Sequence, residues 1–225
     1  MKIELAGENS LIIYFGDSAS PEVSAQVQQA SMLLQDALAD VLIDVVPSYA
    51  SLLVIYDAFL TDNFHVQATI KRTLSNNSTA DVTTGKVVTL PVYYSSESGA
   101  DLERLAELAN LSVDEVIEIH QKTEYRVYAI GFAPGFAYLG EVDARIAAPR
   151  LTTPRLKVPR GAVAIADKQT AVYPAESPGG WNIIGSCPVR MFDLMATPTM
   201  PVVVGDTVKF KAITRDEFIA LGGKL

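Results

Sequence analysis

The chain has 225 residues, of which 49% are hydrophobic and 20% charged, and it carries a formal net charge of −8. This size suffices for one large domain or two small ones, each with a core, and the acidic balance argues against non-specific nucleic-acid binding. The single cysteine, Cys187, excludes an intrachain disulfide. Because no apolar run reaches the roughly 20 residues that span a bilayer, and no signal-like segment is visible, we expect a cytoplasmic protein without a membrane partner.

The first part of the chain predicts a small α+β domain. Ser20-Pro21 is typical of a helix start, because an N-cap residue is followed directly by proline. The predicted elements are a strand-like region at 2–15, a helix at 21–39, strands at 41–46 and 52–56, and a helix at 62–74. The residues expected on the buried side of the last helix are Phe64, Ala68, Ile70 and Leu74. This order is typical of helices packed over one face of a mostly antiparallel sheet.

Two polar, turn-rich segments, at 75–81 and 83–85, mark the predicted domain boundary. Linkers between domains often have this composition, because few contacts cross them. We therefore predict two domains, which comprise residues 1–85 and 86–225.

The second part of the chain predicts helices followed by a β-barrel. A strand at 86–92 precedes two capping-box patterns, Ser98-x-x-Asp101 and Ser112-x-x-Glu115, and each pattern is expected to begin a helix. The remaining predicted strands lie at 125–130, 162–166, 171–173, 181–184, 189–192 and 207–213. Many short strands with Gly and Pro corners are typical of a closed or nearly closed barrel.

Several well-known catalytic and nucleotide-binding motifs are absent from the sequence. It contains no Walker A loop, no G-x-G-x-x-G turn and no Gly-x-Ser-x-Gly nucleophile elbow. Its two histidines, His65 and His120, and its one cysteine do not supply the ligand set of a usual zinc site. No metal is therefore predicted.

Two polar features of the second part each allow two interpretations. His120 ends the apolar stripe of its helix, and it is either a packed histidine bonded to backbone or a base at the rim of the Gly/Pro-rich loops. The basic residues that follow are Arg150, Arg155, Lys157 and Arg160. They either bind an anion, for which Arg155 is favoured, or keep an extended segment solvated.

The Gly/Pro-rich loops also allow two interpretations. The loop with Phe132, Pro134 and Gly135 is either an aromatic wall of a binding pocket or a packed barrel corner. The 177–181 loop either presents backbone N–H groups to an anion or a developing oxyanion, or is a tight turn in which Trp181 fills the core. The neutral hydrogen-bonding residues close by in sequence are Gln169, Thr170 and Tyr173.

A series of short motifs occurs in one order between residues 119 and 181. The motifs are Ile119-His120, Tyr125-Arg-Val-Tyr128, Gly131-Phe-Ala-Pro-Gly-Phe-Ala-Tyr-Leu-Gly140, Pro154-Arg155, Val158-Pro159, Val163-Ala-Ile-Ala166, Gln169-Thr170, Tyr173-Pro174 and Ser177-Pro-Gly-Gly-Trp181. Together they resemble the allophanate hydrolase subunit 1 family. That family includes the B-subunit of 5-oxoprolinase, a Kip-type inhibitor of a sporulation histidine kinase, and the matching half of the carboxyltransferase domain of urea carboxylase. Arg160 and Asp167-Lys168 depart from the family pattern.

The resemblance implies an α+β N-terminal domain followed by a cyclophilin-like β-barrel domain. It also implies two partners, which are a homologous barrel protein (the C-subunit) and a third component (the A-subunit), with the substrate pocket where the two barrels meet. Because the sequence lacks a phosphate-binding loop, ATP is expected to bind with the help of the complex. We expect no activity from this chain alone.

The leading hypothesis is the B-subunit of an ATP-dependent 5-oxoprolinase, which opens 5-oxoproline to glutamate. By motif, the resemblance includes His120 and Arg155 in the site; the hypothesis gives both catalytic roles, with Arg155 on the substrate carboxylate. It implies substrate contacts for Phe132, Pro134, Gly135, Gln169, Tyr173, Ser177, Gly179, Gly180 and Trp181. The alternatives are an inhibitor of a sensor histidine kinase and a carboxyltransferase or allophanate-processing subunit that acts on urea-derived substrates.

Overall fold

The computed structural model describes residues 1–75 and 85–225. By its contacts the chain divides into two compact units, Met1–Thr84 and Gly85–Leu225. The polar segments that carry the predicted domain boundary lie, apart from residues 75 and 85, outside the described residues. The domain limits at 1–85 and 86–225 stay a prediction.

The first unit is a four-stranded antiparallel sheet with two helices. Its elements are β1 (Lys2–Gly7), β2 (Ser10–Tyr14), α1 (Pro21–Ala37), β3 (Leu42–Pro47), β4 (Ser51–Tyr56) and α2 (Asn63–Ser75). The strand order is β1-β2-β4-β3, and every pair is antiparallel. The start of α1 is as predicted, because the Ser20 hydroxyl accepts a hydrogen bond from the backbone N–H of Val23 at 3.2 Å. The core of this unit includes Val27 and Leu34 of α1 and Val54 of β4.

The predicted buried face of α2 is only partly right. Ile70 is buried and Leu74 packs against the core, as expected. Phe64 is 78% exposed, however, and Val66 is buried instead. A shift of two residues along a helix rotates a side chain by about 200° around the helix axis. Phe64 lies two residues before the buried Val66, so its side chain points away from the sheet. Ala68, one turn after Phe64 and two residues before the buried Ile70, is exposed for the same reason.

The second unit holds the barrel strands and three helices. Its elements are β5 (Val87–Val92), α3 (Leu102–Ala109), α4 (Val113–Lys122), β6 (Tyr125–Ile130), β7 (Ala137–Gly140), β8 (Arg155–Val158), β9 (Ala162–Ala166), β10 (Gln169–Val172), β11 (Ser177–Gly179), β12 (Asn182–Ser186), β13 (Thr207–Ala212) and α5 (Arg215–Ala220). Strands β7, β8 and β11 were not predicted, because each is short and lies within or beside a Gly/Pro-rich loop.

The large sheet of this unit is mixed and nearly closed. Its strand order is β12-β9-β10-β7-β6-β13-β5, in which only the pair of β13 and β5 is parallel. Tyr93, just after β5, exchanges two backbone hydrogen bonds of 2.8 and 2.9 Å with Ser186 of β12. This bridge brings the two edge strands together, so the predicted nearly closed barrel is confirmed. Its cyclophilin-like arrangement stays a prediction.

Two local predictions for the second unit are wrong. Residues 189–192 form no strand. The preceding Pro188 lacks a backbone N–H for pairing, and burial of Met191 accounts for part of the apolar character there. The Ser98-x-x-Asp101 pattern is not a capping box, because α3 begins only after Asp101, whose side chain makes no capping hydrogen bond. The Ser112-x-x-Glu115 capping box of α4 is confirmed.

Candidate functional site

Strands β9 and β10 separate two apolar clusters of the second unit. Side chains of a strand point alternately to its two faces. On one face, Val163, Ile165 and Val172 belong to the barrel core. On the other face, small alanines such as Ala164 and Ala171 lie beneath a cluster of large rings. The candidate site is built on this outer face, where small residues leave room for aromatic ones.

The rings on the outer face form what we term the aromatic cluster, Phe132, Phe136, Tyr138, Tyr173 and Trp181. Phe136 lies at its centre, with ring centroids 5.3 Å from those of Phe132 and Tyr173, 4.9 Å from that of Tyr138 and 5.6 Å from that of Trp181. These pairs are edge-to-face, the geometry in which the positive edge of one ring meets the negative face of another. The cluster is therefore a rigid apolar platform.

The 131–136 loop exposes one ring of this platform. Phe132 has a φ of 70°, which is rare for a bulky residue, and it remains 67% exposed. Gly135 has a φ of 82°, and a Cβ atom there would lie 2.5 Å from the carbonyl oxygen of Met191. Glycine is thus required for the loop to approach the 191 segment. Strained backbone that presents an exposed aromatic side chain is a feature of binding loops.

The 177–181 loop runs over the edge of the same platform. In β11, Gly179 pairs with Arg155 of β8. A Cβ atom at Gly179 would lie 2.3 Å from the Tyr173 hydroxyl oxygen, so only glycine lets this phenol reach the loop. Trp181 is 5% exposed and fills the outer cluster, in agreement with the tight-turn interpretation of this loop.

Two arginines flank the platform. Nη2 of Arg155 donates a hydrogen bond of 2.8 Å to the Asp101 carboxylate. Its Nη1 is buried and has no hydrogen-bond partner within residues 1–75 and 85–225. Cζ of Arg150 lies 5.7 Å from the Trp181 ring centroid, within the range of a cation–π contact. Burial raises the pKa of Tyr173, and the positive charges of Arg150 and Arg155 oppose that rise.

His120 lies away from the aromatic cluster, inside the barrel. It is fully buried, and its ring stacks on Phe210 at a centroid distance of 4.6 Å. The Thr170 hydroxyl donates to the carbonyl oxygen of Ala164, so it must accept from His120 Nε2–H, and Nδ1 then accepts from the Tyr94 hydroxyl. Burial lowers the pKa of His120 to about 3, so the ring is neutral. The packed interpretation is favoured, although the ring nitrogens bond to side chains and not to backbone.

Three further predicted site residues lie in the loops and in the strand that carry the aromatic cluster. Pro134 is exposed in the same loop as Phe132, and Ser177 is half-buried at the start of β11. Gln169, the first residue of β10, is half-buried and by strand alternation shares the face of Ala171. The structure therefore brings Phe132, Tyr173 and Trp181 together around Phe136, with Gly179 against the Tyr173 ring, whereas His120 lies apart inside the barrel.

Two polar residues behind the platform were missed by sequence reasoning. Asp101 is 4% exposed, and it accepts hydrogen bonds from Arg155 and from the Ile183 N–H. Asn182 is fully buried, donates to the carbonyl oxygens of Pro149 and Ile165, and accepts from Arg104. The signal for Asn182 was available, since a polar residue within an apolar strand must find partners. Asp101 was not recognised as a buried ion-pair partner because the sequence pattern assigned it to a capping box.

Metal-binding and membrane-spanning features are not seen within residues 1–75 and 85–225. No group of three or more His, Cys, Asp or Glu side chains in these ranges is arranged to hold a metal ion. No helix in the same ranges is long and apolar enough to cross a membrane.

Comparison with known proteins identifies the family. The model of the family described as "Carboxyltransferase domain, subdomain C and D" matches residues 1–202. The chain belongs to this family. The resemblance to the allophanate hydrolase subunit 1 family, drawn from the 119–181 motifs, is thereby confirmed.

Relatives of this carboxyltransferase-domain chain include a protein of similar length. The 5-oxoprolinase B-subunit of Bacillus subtilis (strain 168) is 36% identical over an alignment of 229 positions, which covers 97% of this chain and 95% of the relative. Among solved structures, TTHA0988 superimposes with a TM-score of 0.80 at 34% identity over 92% of this chain. This chain spans only 40% of the TTHA0988 chain.

A more distant structure shows the same fold. The urea carboxylase of Kluyveromyces lactis gives a TM-score of 0.78 over 97% of this chain and 22% of that one. At 15% identity, this likeness concerns the fold alone.

Proposed function

We propose that this chain is the B-subunit of an ATP-dependent 5-oxoprolinase, which opens 5-oxoproline to glutamate together with its A- and C-subunits in the cytoplasm. The observation that carries the proposal is the 36% identity to a 5-oxoprolinase B-subunit along nearly the whole of both chains. The geometry of the aromatic cluster supports it, because the platform suits a small ring that bears a carboxylate.

The platform matches the two halves of such a substrate. The exposed face of Phe132 offers apolar contact to a five-membered lactam. Arg155 and Arg150 stand at the same platform as donors for a carboxylate, which guanidinium groups bind through paired N–H groups.

Opening the ring breaks the amide C–N bond. Water adds to the carbonyl carbon, and the nitrogen takes a proton to become the amine of glutamate. In the proposal, backbone N–H groups of Gly179 and Gly180 stabilise the oxyanion that develops on the carbonyl oxygen. Gln169, Tyr173 and Ser177 orient the lactam. ATP, bound with the help of the partner subunits, supplies the driving force for opening a stable ring.

His120 serves this site indirectly in the proposal. Its buried ring holds the Thr170 hydroxyl at 3.0 Å, and Thr170 follows Gln169 in β10. The neutral, buried imidazole fixes the position of β10 through its hydrogen bond to Thr170. His120 is thus a positioning residue for the outer face.

The test is to purify the chain with candidate A- and C-subunits and to measure 5-oxoproline-dependent ATP hydrolysis. Activity in the complete mixture, and in no mixture that lacks this chain, is the expected result. A stable complex without 5-oxoproline turnover would overturn the proposal. Inhibition of a sensor histidine kinase without partners would then support the inhibitor alternative, and turnover that requires a biotin carrier would support the carboxyltransferase alternative.

A further inference from the structure

The two arginines at the platform differ in their charge balance. Arg155 faces Asp101, whose side chain is 5% exposed and takes a further hydrogen bond from the Ile183 N–H. A carboxylate and a guanidinium at hydrogen-bonding distance form an ion pair, and burial strengthens their attraction. The positive charge of Arg155 is therefore already compensated inside the protein.

Arg150 has no such counter-charge. Within the part of the chain that the structure describes, no carboxylate lies within ion-pair distance of its guanidinium. Its guanidinium instead lies over the Trp181 ring, at 5.7 Å from Cζ to the centroid. A guanidinium that lies over an aromatic face keeps its in-plane N–H groups available to an anion.

The backbone on both sides of Arg150 is fixed. The carbonyl oxygen of Pro149 accepts a hydrogen bond of 3.0 Å from the fully buried Asn182 side chain. The backbone N–H of Leu151 donates to the carbonyl oxygen of Gly180 at 2.7 Å. Arg150 is therefore held at the 177–181 loop, and less conformational entropy is lost when it binds a ligand.

We infer that Arg150 supplies the net positive charge that binds the carboxylate of the substrate, whereas the charge of Arg155 is already balanced by Asp101. This inference rests on the proposed function for the identity of the substrate, a lactam carboxylate. An anion gains more from an uncompensated charge than from one that is already paired. Through Arg150, the platform then binds 5-oxoproline more tightly than the same lactam without a carboxylate.

The single tryptophan provides the measurement, because Trp181 lies directly beneath Arg150 and is the only one in the chain. The full chain is titrated with 5-oxoproline and with 2-pyrrolidinone, the same ring without a carboxylate, while Trp181 fluorescence is followed. Arg150→Gln should weaken 5-oxoproline binding at least tenfold and leave 2-pyrrolidinone binding unchanged. The affinity of Arg150→Lys for 5-oxoproline should lie between those of the wild type and Arg150→Gln, since lysine keeps the charge and loses the planar guanidinium.

A matched control is Arg145→Gln, which removes an exposed arginine that is ion-paired with Asp143. It should bind both ligands like the wild type. The same variants are assayed in the complex with the A- and C-subunits, where Arg150→Gln should raise KM for 5-oxoproline about tenfold at an unchanged kcat.

The outcomes separate the inference from the proposed function. If Arg150→Gln binds 5-oxoproline within twofold of the wild type, the inference is overturned while the proposed function stands. If the wild type binds another small carboxylate such as glutamate, but not 5-oxoproline, and Arg150→Gln loses that binding, the anion site stands and the proposed substrate is wrong. If the wild type binds no carboxylate, alone or in the complex, the inference is overturned.

Discussion

Asp101 and Arg155 form an ion pair at 2.8 Å although 54 residues separate them in the sequence. The carboxylate lies at the start of α3 and the guanidinium on β8, so the pair joins the helical layer to the platform. Asp101 also binds β12 through the Ile183 N–H and carbonyl groups. One buried residue thus sets the positions of three elements behind the candidate site.

Removing this carboxylate should destabilise the protein and disorder the site. Asp101→Ala is expected to lower the free energy of unfolding by about 3 kcal/mol, because it leaves Arg155 partly buried without its counter-charge. Urea denaturation measures the change. The double variant Asp101→Ala/Arg155→Met should be less destabilised than the sum of the single variants. Additive losses would show that the two side chains are not coupled.

Stability should depend on pH through His120. Its pKa is lowered by burial from 6.5 to about 3, so the unfolded chain binds the proton more readily than the folded one. The free energy of unfolding should therefore fall as the pH drops from 6.5 towards 3, by about 1.4 kcal/mol per pH unit from this group. His120→Gln, compared between pH 7 and pH 5, should lose this slope. An equal slope in both proteins would contradict a neutral, buried ring.

A side chain at position 179 should displace the Tyr173 phenol. A Cβ atom there would lie 2.3 Å from the hydroxyl oxygen, so Gly179→Ala should cost about 1–3 kcal/mol of stability through overpacking and reduce 5-oxoproline turnover. Gly131→Ala is the control, because a Cβ atom at Gly131 has no heavy atom within 4 Å outside its chain neighbours. Adding Tyr173→Phe to Gly179→Ala removes the clashing oxygen and should restore part of the stability. Equal effects of the two alanine variants would contradict this packing.

The left-handed backbone of Phe132 should store measurable strain. Phe132→Gly and Phe132→Ala both remove the exposed ring, but only glycine adopts a φ of 70° without a steric penalty. Phe132→Gly should therefore be the more stable of the two by about 1 kcal/mol in urea denaturation. Both should bind 5-oxoproline more weakly than the wild type, since both remove the ring. A less stable glycine variant would show that the loop has relaxed.

Local patterns predicted those parts of the fold that depend on neighbouring residues. Ser20 and Ser112 begin helices where their capping chemistry placed them. The strand at 162–166 also lies where it was expected. One failure came where a residue type serves two purposes, because Asp101 has the spacing of a capping box but pairs with Arg155.

Short motifs and periodicity were enough to predict the family, the starts of α1 and α4, and the nearly closed barrel. Which side of the barrel sheet a residue packs against became clear only from the folded chain, in which His120 of α4 stacks on Phe210 and Trp181 joins the outer cluster. The folded chain was also needed to show which arginine has its charge balanced by a carboxylate. The position of Asp101 depends on contacts such as its hydrogen bond with Ile183, 82 residues away, and such contacts leave no local sequence pattern. Alternation relates neighbours on a strand, whereas charge pairing depends on distances that exist only after folding.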